Sequence, residues 1–600
     1  MSAEPFLGVA RSATGRLWRL RVPEGGGEVD RQGLAISQRL QIPELVGRLL
    51  AARGQTVETA ESFLQPRLRD LLPDPSRLRD MDKAVTCILA AIQAGSRIAI
   101  FGDYDVDGAT SAALLTRFLR AVGVPVIRLY VPDRMSEGYG PNPAAMHRLR
   151  SEGIDLVITV DCGITAFAAL EEAAALGLSV VVVDHHVAEP GLPMAAAVIN
   201  PNRLDEEPGH GHLAAVGVAF LLVVALNRAL RQHGWYTSER PEPDLLQWLD
   251  LVALGTVCDV VPLTGLNRAL VAQGLKVMAQ RRNIGISALS DVAGVAERPG
   301  TYHAGFLLGP RVNAGGRVGA SDLGATLLSG DDPVLAAGLA RQLDELNAER
   351  RAIEADVLAA AIEAAERQAA DNPHLIFVAS EGWHAGVIGI VAGRLKERYQ
   401  RPVCVVGLDG NGFGKGSGRS VAGLHLGNAV IAAREAGIIA KGGGHAMAAG
   451  FDVAVERIAE LTAFISARFV TDLDGSPLVP VMPLDGAVQP RAATPAFVEM
   501  LEQIGPFGSG NPEPRFAIPD ARIVFADVVG TGHVRCQIQG SDGTRLKAIA
   551  FRVAEEPLGR LLLQSRGTSL HLAGSLRTDR WQGREEVQLL IDDAAPAVAR

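Results

Sequence analysis

Cysteine is scarce in this chain of 600 residues. The five cysteines are scattered, and no two of them form a Cys-x-x-Cys pair: Cys87, Cys162, Cys258, Cys404 and Cys536. This spacing indicates neither a disulfide framework nor a cysteine-ligated zinc site. Cys162 and Cys258 each lie beside an aspartate of interest, and we interpret both as small buried residues rather than redox groups.

Long apolar runs and a targeting segment are also lacking. No apolar run approaches the roughly 20 residues that span a bilayer, and Met1–Phe6 lacks the basic-then-apolar pattern of a signal peptide. We therefore expect a cytoplasmic protein that contacts no membrane. A composition of 48% hydrophobic and 21% charged residues is typical of a globular protein. A chain of this length requires roughly three to four domains.

The sequence has no excess of positive charge. Its net charge is −9, so a nucleic-acid enzyme with this balance has to concentrate its cations in a groove. The sign of the charge alone leaves nucleic-acid binding open. The sequence also contains neither a Gly-x-Ser-x-Gly elbow nor a Walker A loop, so it gives no sign of a serine nucleophile or a P-loop.

Short β-branched runs alternate with helical periodicity between about residues 80 and 265. Strands are predicted at 98–101, 126–131, 156–160 and 180–183, and helices at 84–94, 109–122 and 166–176. Fully apolar strands separated by helices predict a parallel sheet that is covered on both faces. In such sheets, functional groups collect at the carboxyl ends of the strands.

Three alternate carboxylates, Asp103, Asp105 and Asp107, directly follow the first of these strands. Such a cluster is costly unless a cation neutralises it. Similar groups follow later apolar runs, namely Asp161, Asp184, His185, His186 and Asp259. An isolated aspartate after a strand is commonly a helix N-cap or a turn former. The recurrence at four predicted strand ends favours a metal site.

The donor set is rich in carboxylate and contains imidazole but no thiolate. This favours Mn²⁺ or Mg²⁺ over a structural zinc, although a catalytic zinc stays open. Asp105 and Asp107 can face one cavity, and Asp161 can bridge two ions. Two such ions would activate a water and stabilise an in-line displacement at phosphorus.

The remainder of the chain divides into three further segments. Residues 333–371 predict one long helix, or equally two helices with a break near Asn347. A second α/β pattern follows, with strands at 375–378 and 403–406, a helix at 387–398, and glycine clusters at 412–418 and 442–444. Five short strands then resemble an OB-like barrel, at 523–525, 534–538, 546–551, 570–576 and 587–591.

The barrel segment carries cations interleaved with rings. From residue 515 onward there are twelve basic and ten acidic residues in a chain that is acidic as a whole. The cations are Arg535, Arg545, Lys547, Arg552, Arg577, Arg580 and Arg584, and the rings are His533, Phe551 and Trp581. Cations and stacking rings suit single-stranded nucleic acid. A solvated barrel surface with ordinary arginines is the alternative.

Four motifs of the α/β segment together resemble the DHH phosphoesterase superfamily: Gly102-Asp-Tyr-Asp-Val-Asp-Gly108, Val160-Asp-Cys-Gly163, Asp184-His-His186 and Gly255-Thr-Val-Cys-Asp-Val-Val-Pro262. Within it, the chain is similar to the single-stranded-DNA-specific exonucleases. Further matching motifs lie at 308–317, 382–389, 417–420, 442–446, 504–508 and 510–514. Several smaller relatives carry a histidine four residues before the first ligand aspartate, where this chain has Phe101. That departure agrees with the exonuclease branch.

The resemblance implies an α/β fold: a DHH parallel-sheet domain and a smaller α/β DHHA1 domain joined by a long helix, followed by a β-barrel OB-like domain. The expected division is an N-terminal helical and loop segment at 1–75, the DHH domain at 76–330, the connecting helix at 331–373, the DHHA1 domain at 374–475 and the OB domain at 480–600.

The activity implied by the resemblance is 5′-to-3′ hydrolysis of single-stranded DNA to nucleoside 5′-monophosphates in DNA repair and recombination. It implies two Mn²⁺ or Mg²⁺ ions, and we expect a monomer whose partners include single-strand-binding protein and a helicase. Asp105, Asp107, Asp161, His185 and Asp259 match metal ligands. Asp103 and His186 match adjoining catalytic positions.

The resemblance also implies groups that grip the strand or its 5′ phosphate: Arg134, Arg311, Asn313, Arg317, Ser417, Arg419 and His445. Arginine forks and glycine-loop amides suit phosphate. Asn313 and Arg317 have an alternative role in locking the domain interface. Two competing functions stay open, a DHH phosphodiesterase that acts on short oligonucleotides or cyclic dinucleotides, and a non-catalytic DHH-like scaffold. The long barrel argues against the first, and the full set of ligand aspartates argues against the second.

Overall fold

The computed structural model describes residues 4–22, 27–133, 136–368, 372–474, 476–579 and 585–597. The chain begins with one strand and four helices: β1 Leu17–Leu20, α1 Glu28–Leu40, α2 Glu44–Ala51, α3 Ala60–Leu64 and α4 Leu68–Leu71. The sequence predicts amphipathic helices here but not β1.

The DHH part is built around a five-stranded sheet. Its elements are α5 Met81–Ala94, β2 Ile98–Gly102, α6 Val106–Ala121, β3 Ile127–Tyr130, α7 Pro143–Ser151, β4 Leu156–Val160, α8 Phe167–Ala175, β5 Ser179–Val183, β6 Ala197–Ile199, α9 Ala215–Gln232, α10 Leu249–Cys258, α11 Gly265–Met278, α12 Ile284–Val292, α13 Gly309–Val318 and α14 Leu323–Ser329. The strand order is β3-β2-β4-β5-β6, and every pairing is parallel. The predicted parallel sheet is confirmed, while the three-residue strand β6 was not predicted.

Helices cover both faces of this sheet, which explains its uniformly apolar strands. Every residue of β2 and β4 is buried. The side chains on one face pack with α5, α6 and α9, and those on the other face pack with α7 and α8. By length and composition α9 is long and apolar enough to cross a membrane, although the sequence showed no such run. Of its 18 residues, 78% are buried, as expected of a core helix.

One continuous helix, α15 Pro333–Gln368, follows the DHH part. The alternative of two helices with a break at Asn347 is wrong. Asn347 is buried, and its Oδ1 accepts a hydrogen bond from Nη2 of Arg350 at 2.7 Å. Arg350 also pairs with Glu354 one turn later. The polar residues that suggested a break therefore satisfy one another along the helix.

The DHHA1 part is a second, mixed sheet. Its elements are β7 Ile376–Glu381, α16 Ile388–Tyr399, β8 Val403–Leu408, β9 Phe413–Arg419, α17 Leu426–Glu435, β10 Lys441–Gly444, β11 Ala448–Ala454 and α18 Ile458–Asp472. The strand order is β10-β11-β9-β8-β7, and only β7 and β8 pair in parallel. The glycine clusters lie in strands β9 and β10. At Gly416, an added Cβ would lie 2.2 Å from the ring of Phe451, so the sheet packs where a side chain would not fit.

The C-terminal part is a closed five-stranded barrel. Its elements are β12 Val481–Leu484, β13 Gly486–Ala487, α19 Pro495–Ile504, β14 Phe516–Val529, β15 His533–Gln539, β16 Arg545–Ala550, α20 Pro557–Gln564, β17 Ser569–Asp579 and β18 Glu586–Pro596. The barrel closes because β14 pairs with both β15 and β17. The predicted OB-like barrel is confirmed.

The N-terminal segment packs on this barrel. Strand β1 pairs in parallel with β12, and the buried Trp18 donates a hydrogen bond from Nε1 to Oδ2 of Asp593 in β18 at 2.9 Å. Buried residues of α1 and α2 share one apolar core with the barrel strands. The two ends of the described chain therefore form one structural unit.

Candidate metal centre

The first carboxylates lie in the turn that joins β2 to α6. Asp103 is buried, and Asp105 is the N-cap of α6: its Oδ1 accepts hydrogen bonds from the backbone N–H groups of Asp107 at 2.9 Å and Gly108 at 3.1 Å. Asp105 therefore does serve as a helix N-cap, which is the common role of an isolated aspartate after a strand. The turn requires glycine at 108, because an added Cβ would lie 2.5 Å from the carbonyl oxygen of Asp103.

Asp107 points from α6 toward the start of α9. Its Oδ2 accepts a hydrogen bond from the N–H of Ala215 at 2.6 Å, and its Oδ1 accepts one from Val216 at 3.0 Å. The N-terminus of a helix favours a negative charge. Burial and the nearby Asp105 nevertheless raise the pKa of Asp107 to about 7. Backbone donors thus orient this carboxylate, while its buried, negatively charged surroundings disfavour its ionised form.

Asp161 follows β4 and lies across from this turn. It adopts a left-handed backbone conformation with φ 60° and is buried. Among the described residues its Oδ1 has no hydrogen-bond partner, and it lies 3.3 Å from Nε2 of His185. Burial, followed by the charge of Asp105, raises the pKa of Asp161 well above its ordinary value. A buried acceptor without a donor is costly, so this atom calls for a cation.

Asp184 organises the two histidines at the end of β5. Its Oδ1 accepts from the backbone N–H groups of His185 and His186 and from Nδ1 of His186 at 2.8 Å, while Oδ2 accepts from Ile164. Burial alone would raise the pKa of Asp184, but the hydrogen bond and charge of His186 outweigh burial and hold it below its usual value. Burial alone would lower the pKa of His186, and Asp184 raises it above the usual value.

His185 is prepared to act as a ligand through Nε2. Its Nδ1 lies 3.0 Å from the carbonyl oxygen of Leu213, which can only accept, so the proton resides on Nδ1. Nε2 has no hydrogen-bond partner in the part of the chain that the structure describes, and it lies 3.6 Å from Oδ2 of Asp259. Burial and His186 lower the pKa of His185, which keeps the ring neutral at neutral pH. A neutral imidazole with its second nitrogen fixed is the form that binds metals.

Asp259 completes the cluster, but not from the end of a strand. The prediction that it follows a strand is wrong, because it caps the carboxyl end of helix α10. No described residue hydrogen-bonds to its Oδ2, and burial, followed by the charge of Asp107, raises its pKa to about 9. Helix α10 approaches α6 closely at Gly255, where an added Cβ would lie 2.9 Å from Oδ1 of Asp107.

The ligand atoms form three overlapping groups, in each of which all atoms lie within 4.8 Å of one another: Asp161, His185 and His186; Asp107, His185 and Asp259; Asp103, Asp105 and Asp161. Asp161 and His185 each belong to two groups, as residues that bridge two ions would. The three unpartnered atoms, Asp161 Oδ1, His185 Nε2 and Asp259 Oδ2, converge here. The donor set fits hard divalent cations.

The neighbouring thiols do not join this set. Burial raises the pKa of the Cys162 and Cys258 thiols, and Cys258 donates to the carbonyl oxygen of Ala304 at 3.4 Å. A protonated thiol is a poor metal ligand. Both cysteines are small packing residues beside the cluster, as interpreted from the sequence.

Two asparagines that the sequence analysis missed hold the histidine backbone. Nδ2 of Asn200 donates to the carbonyl oxygen of His186 at 2.9 Å, and Nδ2 of Asn202 donates to that of His185. Both residues follow β6. The run Ala197-Val-Ile-Asn-Pro-Asn202 is a further apolar run that ends in polar residues, and this signal could have identified them.

Three predicted phosphate-gripping residues lie on α13, which packs on the metal-binding turn. An added Cβ at Gly316 would lie 2.9 Å from Cβ of Tyr104. Arg311 binds Oδ1 of Asp344 in α15 at 2.8 Å, and Nη1 of Arg317 donates to the carbonyl oxygen of Gly386 at 2.6 Å. Both arginines thus connect α13 to neighbouring elements. For Arg317 this contact fits the alternative role of locking the domain interface. Asn313 is half-buried on the same helix.

Ser417 and Arg419 lie at the end of β9 beside the start of α16. Nη1 of Arg419 donates to Oγ of Ser417 at 3.2 Å, and an added Cβ at Gly389 would lie 3.1 Å from Nη2 of Arg419. Burial lowers the pKa of Arg419. A guanidinium, a hydroxyl and a helix N-terminus together suit an anion. His445 is exposed in the turn between β10 and β11, and Arg134 lies outside the described residues.

The barrel surface only partly matches its predicted role. Phe525 and Phe551 are exposed, and Arg535 and Arg566 lie 5.8 and 5.6 Å from the Phe525 ring centroid. Several cations have acidic partners, such as Arg535 with Asp527, Lys547 with Glu586 and Arg577 with Glu513. Those pairs agree with an ordinary solvated surface. Arg580, Trp581 and Arg584 fall outside the part of the chain that the structure describes.

Comparison with known proteins identifies three family models along the chain. Residues 97–256 match the DHH family N-terminal domain, residues 372–471 match the DHHA1 domain, and residues 484–593 match the RecJ OB domain. The chain is 39% identical to the single-stranded-DNA-specific exonuclease RecJ of Dickeya dadantii, covering 92% of this chain and 96% of the relative. It is 38% identical to that of Escherichia coli, covering 93% and 96%.

Comparison with solved structures points to the same family. RecJ from Thermus thermophilus in complex with Mn²⁺ superposes with a TM-score of 0.77 at 30% identity, covering 95% of this chain and 78% of that one. A second structure, exonuclease RecJ bound to manganese, gives a TM-score of 0.55 at 33% identity, covering 68% of this chain and 98% of that one. Structures of homologous proteins have thus been solved with Mn²⁺, and one with Mg²⁺.

Proposed function

Because the chain belongs to the RecJ family of single-stranded-DNA-specific exonucleases, we propose that it hydrolyses single-stranded DNA from the 5′ end to nucleoside 5′-monophosphates in DNA repair and recombination. The observation that carries this proposal is the convergence of five aspartates and two histidines on one mostly buried cluster, with three ligand atoms that have no hydrogen-bond partner among the described residues. The same cluster argues against the scaffold, since no ligand position is lost.

The residues that would hold two Mn²⁺ or Mg²⁺ ions are Asp105, Asp107, Asp161, His185 and Asp259. When bound, such a pair supplies an activated water and neutralises charge in an in-line displacement at phosphorus. His185 presents a neutral Nε2, and the backbone donors at α9 orient Asp107. Asp103 lies beside these ligands and supports the turn.

His186 has a different role in this proposal. Its Nδ1 is held by Asp184, and its raised pKa favours the charged ring, which then carries a proton on Nε2. That proton can be donated to a phosphate oxygen of the substrate or to the leaving oxygen. His186 is 42% exposed in its side chain, whereas His185 is 12% exposed, so His186 is the histidine that substrate can reach.

The strand would be gripped by groups on both α/β parts. We assign phosphate contacts to Asn313 and Arg317 on α13 and to Ser417, Arg419 and His445 in the DHHA1 part. Arg311 supports α13 through Asp344, and Arg134 belongs to the same proposed set. The parts of the chain then act together, and the barrel leads the single strand in. These parts are the DHH domain at 76–330, the connecting helix at 331–373, the DHHA1 domain at 374–475 and the OB domain at 480–600.

The same proposal extends to the oligomeric state, the location and the partner proteins of the enzyme. The enzyme would act as a monomer in the cytoplasm, where single-stranded DNA arises during repair. Single-strand-binding protein and a helicase are its proposed partners, because both produce or hold the strand that this enzyme would degrade. The family relationship supports the class of reaction, and purification with each partner separately would test these two.

Removing one ligand while keeping the fold tests the proposal. Asp161→Asn suits this purpose because asparagine tolerates the left-handed backbone at this position. The expected result is complete loss of Mn²⁺-dependent degradation of a single strand. Asp250→Asn is the matched control, since Asp250 is also a buried aspartate with a raised pKa, but it lies outside the cluster. Full activity in Asp161→Asn would refute the metal assignment.

A further inference from the structure

Tyr139 contacts residues from three segments of the candidate metal centre. It lies in the run Gly138-Tyr-Gly140, between β3 and α7. Both glycines have left-handed backbones, with φ 86° and 72°, which residues with a side chain rarely adopt. An added Cβ at Gly140 would lie 3.6 Å from Cβ of Cys162. The chain at Tyr139 therefore runs alongside the residues that follow β4.

The hydroxyl of Tyr139 holds the backbone of Asp161. It donates a hydrogen bond to the carbonyl oxygen of Asp161 at 3.0 Å, and the N–H of Asp161 donates to the carbonyl oxygen of Val183 in β5 at 3.0 Å. Asp161 has φ 60°, a conformation that a residue with a side chain keeps only where its surroundings enforce it. The two hydrogen bonds lie on either side of this residue, so together they fix the direction in which its carboxylate leaves the backbone.

The ring of Tyr139 contacts two other rings of the same region. Its centroid is 6.1 Å from that of His186 with an interplanar angle of 76°, and 6.5 Å from that of Tyr104 with an angle of 82°. Both contacts are edge-to-face, an arrangement that aromatic rings favour. Tyr104 lies between Asp103 and Asp105 in the turn that follows β2. The ring therefore reaches from that turn to the histidine at the end of β5.

The orientation of the His186 ring depends on these neighbours. Its Nδ1 is held by Oδ1 of Asp184 at 2.8 Å, and the rings of His185 and Tyr139 contact it with centroids 4.6 and 6.1 Å away. A hydrogen bond at one nitrogen leaves the tilt of an imidazole ring open, and the two ring contacts restrict that tilt. Loss of the Tyr139 ring would therefore free His186 to tilt while its hydrogen bond to Asp184 is kept.

We propose that Tyr139 is a positioning residue with two separable parts: its hydroxyl sets the backbone of the proposed metal ligand Asp161, and its ring sets the orientation of His186. The role of the ring rests on the proposed exonuclease function, whereas the role of the hydroxyl concerns metal binding alone. Tyr139 is 52% exposed, so a contact between its ring and the DNA strand is the competing role. Loss of such a contact raises KM, whereas a misplaced His186 lowers kcat.

Tyr139→Phe tests the hydroxyl, because it removes the hydrogen bond and keeps the ring. In the full-length protein without DNA, Mn²⁺ affinity measured by calorimetry should weaken roughly 10-fold, as it does when the support of a metal ligand is lost. With a single strand and saturating Mn²⁺, kcat should stay within about twofold of that of the unaltered protein, since the ring still orients His186.

The matched control is Tyr236→Phe. Tyr236 is also half-buried in the DHH part, and its hydroxyl donates to Oδ1 of Asn227. Asn227 lies in α9, about 18 Å along the helix axis from Ala215, the residue whose N–H binds Asp107. Tyr236→Phe should therefore leave both Mn²⁺ affinity and kcat unchanged.

Tyr139→Leu tests the ring. Its kcat should fall on the order of 100-fold and stay low at saturating Mn²⁺, because a misplaced reacting group loses about that factor. KM for the strand should change by less than about threefold. Tyr139→Phe should thus rescue kcat without rescuing Mn²⁺ affinity, a split that a general loss of folding would not produce. All measurements are made below the melting temperature of each variant.

Each part of the proposal has its own contradicting result. Equal Mn²⁺ affinities in Tyr139→Phe and Tyr236→Phe would overturn the role of the hydroxyl. A raised KM with unchanged kcat in Tyr139→Leu would overturn the role of the ring and assign it to the strand. Equal losses of kcat in Tyr139→Phe and Tyr139→Leu would show that the two parts are not separable. If the unaltered protein binds Mn²⁺ but degrades no single strand, the exonuclease function fails, and calorimetry of Tyr139→Phe still decides the role of the hydroxyl.

Discussion

Asp107 and Asp259 share one buried space with His185, and burial raises their carboxyl pKa values to about 7 and about 9. Without a cation, neighbouring negative charges and burial favour the protonated acids. A bound divalent cation reverses this preference, since it stabilises the ionised form of every ligand. The cluster therefore exchanges protons for metal.

This exchange sets the sign of a pH dependence. At pH 7 most of Asp259 and about half of Asp107 are protonated in the metal-free protein, and Asp161, whose pKa is also raised, adds to them. Mn²⁺ binding should therefore release on the order of two protons. The affinity for Mn²⁺ should rise between about pH 6 and pH 9 and level off above. Calorimetric titration in buffers of different ionisation enthalpy measures the release. An affinity independent of pH would contradict it, and Asp250→Asn should leave the proton count unchanged.

Asn202 supports the proposed metal ligand His185 through the backbone of that residue. Its side chain holds the carbonyl oxygen of His185. Asn202→Ala should weaken Mn²⁺ affinity roughly 10- to 100-fold, as removal of outer supports of metal ligands does, while kcat at saturating Mn²⁺ recovers. Activity measured against Mn²⁺ concentration separates the two effects. A lowered kcat that excess Mn²⁺ does not restore would show that Asn202 acts on the reaction itself.

The sequence predicted the ligand candidates because carboxylates and imidazoles recur after apolar runs. It could not predict that Asp259 caps a helix, because α10 is mostly apolar, and short apolar helices and strands look alike in sequence. Nor could it separate Asp184, which holds His186, from the residues that face the cluster. That distinction depends on side-chain direction, which neither composition nor spacing contains.

Helix α13 connects the turn that carries Asp103, Asp105 and Asp107 to α15 and to the DHHA1 part. Its glycines allow it to lie against Tyr104, and its arginines reach α15 and the start of the DHHA1 part. A side chain on this face would push the helix away from the turn, because interiors are close-packed. The helix thus couples the position of the ligands to the position of the second α/β part.

Gly316→Ala tests this coupling. The added methyl would lie 2.9 Å from Cβ and 3.0 Å from the carbonyl oxygen of Tyr104, so the turn has to shift and Mn²⁺ affinity should fall. Gly338→Ala in α15 is the matched control, since nothing lies within 4 Å of the added methyl. It should stabilise the protein by up to about 1 kcal/mol and leave activity unchanged. Equal Mn²⁺ affinities in the two variants, measured by calorimetry, would show that α13 does not set the ligand geometry.

The apolar strands of the first sheet were predicted well at this scale, whereas α15 was left open between one helix and two, and α9 was not predicted. The strands of the first sheet were found because burial on both faces leaves uniformly apolar runs. Strand β6 was missed because it has only three residues. Strands β9 and β10 were missed because glycine supplies no side-chain alternation, and their pairing depends on close backbone packing instead.

At the scale of the whole molecule, the N-terminal segment packs against the C-terminal barrel. Strand β1 pairs with β12, and α1 and α2 complete the barrel core. Pairing between segments more than 400 residues apart leaves no local pattern, so the sequence indicated five segments but not which of them touch. A truncation near residue 480 would therefore expose the apolar faces of α1 and α2 as well as remove the barrel.

Trp18→Phe tests this long-range connection. The substitution keeps an aromatic ring but leaves Oδ2 of Asp593 without its indole donor in a fully buried position. A lost donor to a buried carboxylate costs about 1–3 kcal/mol. The barrel should unfold at lower denaturant concentration, while Mn²⁺ affinity, which depends on the distant DHH part, should not change. A chain whose unfolding is unaffected would show that β1 does not stabilise the barrel.

The central proposal is that the cluster of aspartates and histidines, with bound metal ions, removes nucleotides from the 5′ end of a single strand. The most direct test follows products from strands labelled at either end, with Mn²⁺, in the unaltered and Asp161→Asn proteins. The predicted result is a labelled mononucleotide from the 5′-labelled strand at the earliest times and stepwise shortening of the 3′-labelled strand, with neither in Asp161→Asn. Early release of the 3′ label, internal cleavage, or undiminished products from Asp161→Asn would contradict it.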